Sequence, residues 1–397
     1  MAGGGRRGTG TLMSIADDSA GERQQPGVKR LATATVNVLA GPLSVSLLGL
    51  LLVLVPRGQR LAGDFSFAYW HAGRRVLAGV SPYIWTAAQF REGMAFVYPA
   101  LSAVMFAPLS LIPRSIGAVL FTFVSIALLP LALWVLRVRD WRVYGIAALW
   151  EPFFVGWATA NESLYLMFGL ACVWRVRDRP WLTGLLAGAL ISLEPLLWPL
   201  GLWLVATRRW RASLHALAWG VALNLFAWGI VGFGQIGAYL HASATDTADA
   251  WRGGFGVPAS LAHFGVAQTG GFAVMAVLCA GLAAGVLHAA LVRHGELPAF
   301  VLTVALALVS SPLLWSHYVM LVLVPLAILR PRLDWLWALP VVFWASQLPA
   351  PAQDWQIVLD WVIMAVILLP LAMASPAHHV RVSGSLQAGA EPTPTAW

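Results

Sequence analysis

Residues 36–55 carry no charge, and apolar runs of similar kind recur almost to the end of the chain. About 20 such residues cross a hydrocarbon core of about 30 Å at 1.5 Å rise per residue. A chain punctuated in this way folds as a set of membrane-crossing helices. Composition agrees: 59% of the 397 residues are hydrophobic and 11% are charged, whereas soluble chains carry about 25% charged residues. A water-soluble domain is excluded. The fold class is an all-α, polytopic membrane protein.

In order, the apolar runs are 36–55, 96–113, 115–136, 143–158, 161–174, 181–206, 212–233, 272–292, 298–314, 318–329, 333–348 and 357–374. Glu194-Pro195 and Pro199 interrupt the run at 181–206, which is expected to be kinked or broken there. About twelve transmembrane segments place both termini on one side of the bilayer. Lys29-Arg30, Arg208–Arg211, Arg293, Arg330 and Arg332 then fall on that side, and their excess assigns it to the cytoplasm. The arginine clusters at 137–142 and 175–180 do not fit, because the same count places them outside. Either 143–206 contains re-entrant helices, or those arginines serve the outer face. Residues 1–34 and 376–397 have no apolar core of their own and read as disordered cytoplasmic ends of a membrane domain at 35–375.

Directly after the first run comes Gly63-Asp64-Phe65-Ser66-Phe67-Ala68-Tyr69-Trp70-His71-Ala72-Gly73-Arg74-Arg75. Positions 64, 68 and 72 fall on one helical stripe and 67, 71 and 74 on its neighbour. That spacing suits a short helix lying on the membrane surface with its charged side in water. Arginines at a span end commonly reach for lipid phosphate, and Tyr or Trp beside them commonly belong to the interfacial belt. A carboxylate gains nothing from an anionic lipid surface, so Asp64 is the marked residue. Counting crossings puts it on the outer face with residues 234–271 and the corner at Ser311–His317. Glu151, Glu162 and Glu194 stand in apolar company, where an ionisable group is costly and points to a functional or structural partner.

Several functions are disfavoured. The net charge is +8, but the arginines are scattered at span ends without a basic stripe, so nucleic acid is not an expected partner. Cys172 and Cys279 are far apart within apolar runs and indicate neither a disulfide nor a metal site. No glycine-rich phosphate loop is present, and no Asp-x-Asp pair sits in a soluble loop to hold a metal and a nucleotide; Asp17-Asp18 lies in the N-terminal head. A nucleotide-sugar mechanism is therefore disfavoured, and no metal or cofactor is expected. The activated donor natural to an outward-facing site is lipid-borne.

The chain resembles the polyprenyl-phosphate-mannose-dependent glycosyltransferases of family 87, which have the GT-C membrane fold and include actinobacterial mannosyltransferases acting on phosphatidylinositol mannosides. The resemblance rests on Gly63-Asp64 with Tyr69 and Ala72-Gly73, on Gly79-x-Ser81-Pro82-Tyr83, on Tyr98-Pro99 with Pro108 and Pro113, and on Ser311-Pro312-x-x-Trp315-Ser316-His317-Tyr318. Three positions depart from the family pattern. Ala160-Asn161-Glu162-Ser163 replaces Gly-Gln-x-Asn, Glu194 replaces a lysine before proline, and Pro258-Ala259-Ser260 replaces Asn-Gln-Ser. The resemblance implies a hexosyltransferase, with mannose as the expected sugar, a polyprenyl-phosphate donor, a glycolipid or glycan acceptor, and one inverting displacement that gives an α-linked product.

The chemistry follows from the residues as well. An acceptor hydroxyl must lose its proton as it bonds to the anomeric carbon, and Asp64 is the candidate base. The leaving lipid phosphate gains negative charge, which His317, Arg75 and Arg74 could stabilise. Asp64 and His317 are thus the expected catalytic pair and Arg74 and Arg75 the phosphate-binding pair. Tyr69, Tyr83, Tyr98 and Trp315 are expected to line the substrate cavity. The rival readings are a lipid or sugar transporter, which would place its polar residues near the bilayer midplane, and a catalytically altered paralogue.

Overall fold

The computed structural model describes residues 33–37, 41, 44, 49, 62–91, 94–250, 254–347 and 353–373. Most of the run at 36–55, Trp251, Arg252 and the terminal segments 1–32 and 374–397 lie outside the described residues. All regular structure among the described residues is helical.

Four helices are long and apolar enough to cross a bilayer: Arg114–Val135, Trp210–Val231, Gln268–Val292 and Asp354–Met373. Six shorter apolar helices lie between them in the chain, Ser163–Val176, Pro180–Leu193, Pro195–Ala206, Glu296–Val309, Ser316–Leu329 and Trp335–Ser346. Proline explains much of this segmentation. Pro152, Pro180, Pro195 and Pro199 each sit in the first turn of a helix, where a missing N–H costs nothing and the fixed φ suits the helix. Trp141–Ala148 and Glu151–Ala158 are accordingly two short helices, joined at an extended Trp150.

The interior is dominated by aromatic side chains, with Trp150, Phe153, Trp157, Trp203, Phe300 and Trp337 almost wholly buried. Helices Pro180–Leu193 and Trp210–Val231 approach more closely, through small residues. A Cβ on Gly184 would lie 2.8 Å from the Ala212 carbonyl oxygen, and one on Gly188 would lie 2.6 Å from that of Ala216. Small-xxx-small faces let helices associate in lipid, where water gives no hydrophobic drive. The outside of the bundle is apolar too, with Phe123, Trp134, Leu214, Leu217 and Val277 exposed, as a lipid-facing surface requires.

Polar contacts sort the turns into two ends. At one end Arg209 donates to Glu296 from Nε (3.0 Å) and Nη2 (2.5 Å), to Asp178 (3.3 Å) and to the carbonyl of Arg177. Arg177 itself reaches Glu296 at 3.4 Å. Helix Pro180–Leu193 leaves this end and finishes at Glu194, whose carboxylate accepts the Tyr318 hydroxyl at 3.1 Å. Segment Ser316–Leu329 therefore starts at the opposite end and delivers Arg330 to the arginine end. There Asp140, forked to Arg142 at 2.9 and 2.8 Å, accepts the Leu333 N–H at 3.0 Å. The turns at 137–142, 175–180, 207–211, 293–296 and 330–334 thus gather on one face.

This arrangement corrects the reading of 96–113 as a crossing. The segment forms only helix Ala100–Phe106 and the tight turn Pro108–Leu111, about 18 Å even if fully helical. Its start is tied to the Asp64 end, since Ser102 Oγ donates to the Leu193 carbonyl at 3.1 Å. Its finish is tied there as well, since Ser110 Oγ donates to the Trp70 carbonyl (2.8 Å) and Trp70 Nε1 donates to that of Ile112 (3.2 Å). The segment is apolar because protein covers it. With it removed and 181–206 counted as two passes, Pro180–Leu193 to Glu194 and Pro199–Ala206 back to Arg209, the arginines at 137–142 and 175–180 fall on the same face as the other basic turns.

Candidate active site

Asp64 is positioned first by backbone. The Ala62 N–H donates to the Ala158 carbonyl (2.7 Å) and the Asp64 N–H to that of Thr159 (2.9 Å), which ties the start of the surface helix to the end of Glu151–Ala158. The helix runs through Asp64–Tyr69 and Trp70–Leu77 and is held by aromatic packing. The buried Phe65 stacks on Phe121, with centroids 5.2 Å apart, and Tyr69 lies almost parallel to Phe106 at 4.4 Å. Gly73 permits this contact, because a Cβ there would fall 2.7 Å from the carbonyl carbon of Phe106 and 2.4 Å from Ser110 Oγ.

The carboxylate of Asp64 meets an amide. Asn161 Nδ2 donates to Asp64 Oδ2 at 2.7 Å and lies 3.3 Å from the Tyr69 hydroxyl and 3.4 Å from that of Tyr98. The other end of the amide is also engaged, since Asn161 Oδ1 accepts the Ser163 N–H (2.8 Å) as helix Ser163–Val176 begins. Ala160, at φ 52°, makes the left-handed turn that presents Asn161. Burial raises the pKa of Asp64 from 3.8 to about 6, and the Asn161 hydrogen bond limits the rise.

Two further carboxyl groups stand behind this pair. Glu162 is buried beside Glu194 and Ser102. Glu194 precedes Pro195, which forces it into extended backbone (φ −137°, ψ 103°), ends the helix and turns its side chain out of the helical register. Glu194 opens onto a cavity of about 340 Å³ whose wall includes Tyr98, Trp198, Tyr239, Trp315 and Tyr318. Asp64 is not part of that wall, but Tyr98 is, and its hydroxyl lies 3.4 Å from the Asn161 amide.

The remaining residues singled out in the sequence are distributed around this centre. Tyr69 and Tyr98 are at Asp64. Tyr83 is one layer away, donating its hydroxyl to the Tyr98 carbonyl at 3.1 Å, and Trp315 is on the cavity wall. Arg74 is exposed. Arg75 Nη1 donates to the carbonyls of Pro82 (3.2 Å) and Ile84 and so secures the turn after the surface helix. His317 is buried, its ring 4.6 Å from that of Tyr318 and its Nε2 without a hydrogen-bond partner. It is Tyr318 that points at Glu194. Asn161 and Tyr318 are the polar partners that spacing alone does not reveal. No group of three or more His, Cys, Asp or Glu side chains among the described residues is arranged to hold a metal.

One end of this helical membrane protein thus gathers a half-buried carboxylate, an amide bonded to it and a cavity lined by aromatic and polar side chains. The model of glycosyltransferase family 87 matches residues 96–316, more than half of the chain, and the chain belongs to that family. Two curated relatives are named polyprenol-phosphate-mannose-dependent alpha-(1-2)-phosphatidylinositol pentamannoside mannosyltransferase. The one from Mycobacterium tuberculosis is 26% identical over 322 residues, covering 72% of this chain and 67% of the relative. The one from Mycolicibacterium smegmatis is 29% identical over 311 residues, covering 70% and 67%. No solved structure matches the chain.

Proposed function

We propose that this glycosyltransferase moves a mannosyl unit from a polyprenyl-phosphate donor to a phosphatidylinositol-derived or related glycolipid acceptor at the outer membrane face. The observation that carries the reading is the Asp64–Asn161 pair in a family whose curated members named above use that donor. The acceptor oxygen attacks the anomeric carbon and passes its proton to Asp64 Oδ. The bond from that carbon to the phosphate oxygen breaks, and polyprenyl phosphate leaves with the electron pair. With a β-linked donor, one displacement gives an α-linked product. A carboxylate with a pKa near 6 suits the task, being ionised at neutral pH yet more basic than an ordinary aspartate.

Arg74, Arg75 and His317 are the groups assigned to the donor phosphate, Arg75 from the turn it holds. The scheme requires no metal. The number of crossings stays at twelve: the apolar run at 36–55 is the first, 96–113 drops out, the paired helices Trp141–Ala148 and Glu151–Ala158 make one crossing in two halves, and 181–206 makes two, Pro180–Leu193 and Pro199–Ala206. The arginine face is cytoplasmic under the positive-inside rule, which puts Asp64 outside. The test is transfer by purified, reconstituted protein. Asp64→Asn should lower turnover by about 10²–10⁴-fold while donor binding survives, and a chelator should leave the rate unchanged. Full activity in the variant would remove Asp64 as the base. Lipid translocation with no new glycosidic bond would favour a transporter.

A further inference from the structure

Between helices Pro180–Leu193, Pro199–Ala206 and Trp210–Val231 runs an open, apolar groove of about 680 Å³, none of whose lining residues belongs to the site described above. Its depth comes from small residues. Gly188, Gly201 and Gly220 line it, and a Cβ added to Gly201 would meet no atom within 4 Å. Trp210, Leu214, Leu217, Val221 and Asn224 line it at spacings of three and four, so the groove follows one face of the long helix. From Trp210 to Asn224 the helix rises about 21 Å. That exceeds the roughly 15 Å of one leaflet's tails, half of a hydrocarbon core of roughly 30 Å.

The two ends of the groove differ in charge. At the end nearer the active site, Asn224 Nδ2 donates to Ser192 Oγ (2.8 Å) and to the Gly220 carbonyl (2.9 Å), and Ser192 Oγ donates to the Gly188 carbonyl (2.7 Å). These polar groups are already bonded to one another, and no basic side chain lines the groove among the described residues. At the arginine end, Trp210 stands between Arg208, Arg209 and Arg211 in the chain. Arg209 is bound to Glu296 and Asp178, whereas Arg208 and Arg211 are exposed and join no ion pair among the described residues. An exposed indole flanked by unpaired arginines at the end of an apolar stripe matches a lipid interface, the indole at headgroup level and the guanidinium groups at phosphate.

We infer that this groove holds an acyl chain of an anionic phospholipid from the leaflet on the arginine face, with Arg208 and Arg211 at its phosphate. The direction of the groove decides against the polyprenyl-phosphate donor as occupant. A donor's phosphate has to lie at the Asp64 end, where the groove offers only Asn224 and Ser192, already paired with each other. A zwitterionic phospholipid fills the same slot but gains little from the two arginines. Each arginine near a membrane surface favours an anionic lipid by about fivefold, so two give about thirtyfold. The inference is independent of the transfer reading, and the lipid is a resident of the fold rather than a substrate.

The experiment is native mass spectrometry of the full chain released from detergent after exposure to equal amounts of dioleoyl phosphatidylglycerol and dioleoyl phosphatidylcholine. The expected result is one phosphatidylglycerol retained per chain, with a preference of about thirtyfold over phosphatidylcholine. Arg208→Gln/Arg211→Gln should retain the two lipids about equally. Gly201→Leu, whose side chain enters the open slot, should retain neither while keeping the helix content of wild type by circular dichroism. Glycerol 3-phosphate, which has the phosphate without the tails, should not displace the lipid. Equal retention of both lipids by wild type, an unchanged preference in the arginine variant, or full retention in Gly201→Leu overturns the inference. Displacement by glycerol 3-phosphate would make the site one for free phosphate, and displacement by polyprenyl phosphate would give the groove to the donor; either overturns it as well.

Discussion

Replacing Asn161 tests whether Asp64 works as a tuned base. The amide donates one short hydrogen bond to the carboxylate, at 2.7 Å. A hydrogen bond to a charged group contributes about 1.5–3 kcal/mol, and about 1.4 kcal/mol corresponds to one pKa unit, so Asn161→Ala should raise the pKa of Asp64 from about 6 to about 7–8. At pH 7 the ionised fraction falls from about nine tenths to between a half and a tenth, which lowers the rate about two- to tenfold, and the loss should be recovered near pH 9. The assay is kcat/KM against pH with polyprenyl-phosphate mannose and a glycolipid acceptor in nanodiscs. Asn161→Ala also removes the bond from the Ser163 N–H, so Asn161→Asp is the companion variant. It keeps that acceptor, removes the amide donor and should move the acid limb further in the same direction through like-charge repulsion. A rate that drops equally at every pH, or an acid limb that stays near 6 in both variants, would refute the argument.

Three further outcomes are expected. In a variant lacking Cys172 and Cys279, a cysteine placed at the exposed Asp178 should resist a membrane-impermeant maleimide in intact cells, and one placed at the exposed Gly265 should react; the reverse pattern would invert the proposed topology. Gly73→Ala forces a methyl against the Phe106 backbone and should cost about 1–3 kcal/mol, read as a lower unfolding temperature in detergent; an unchanged midpoint would show that the surface helix is not docked as described. The rise of the Asp64 pKa from 3.8 to about 6 means that the folded chain holds this proton more tightly than the unfolded one, so stability falls as pH rises through that window, by up to about 3 kcal/mol. Asp64→Asn should therefore melt higher than wild type at pH 7 and no differently near pH 4.

The sequence made the helical class legible, because it follows from apolar run length, and it singled out Asp64 on a local signal, a carboxylate directly after a run. Whether 96–113 crosses was not legible, since hydropathy reads a helix buried in protein as it reads one buried in lipid. The misplaced arginines at 137–142 and 175–180 were the visible symptom of that ambiguity. Asn161 was hidden for a different reason: it meets Asp64 across 97 positions of chain through a left-handed turn at Ala160 that the sequence does not announce. At the 311–318 corner the histidine drew attention as the more reactive side chain. Successive residues of a tight helix point about 120° apart, and it is Tyr318 that faces Glu194.

The short helix Glu151–Ala158 has a role beyond filling the bundle. At its first residue Glu151 accepts a hydrogen bond from Ser316 at 3.0 Å, and at its last turn the Ala158 and Thr159 carbonyls receive the Ala62 and Asp64 N–H groups. Eight residues of helix make a strut about 12 Å long with little give along its axis. One tip touches the corner that supplies Trp315 and Tyr318 to the cavity, and the other carries the carboxylate. The two halves of the site are therefore mechanically in series, and a displacement of Ser316 reaches Asp64 through a rod instead of being absorbed by a loop.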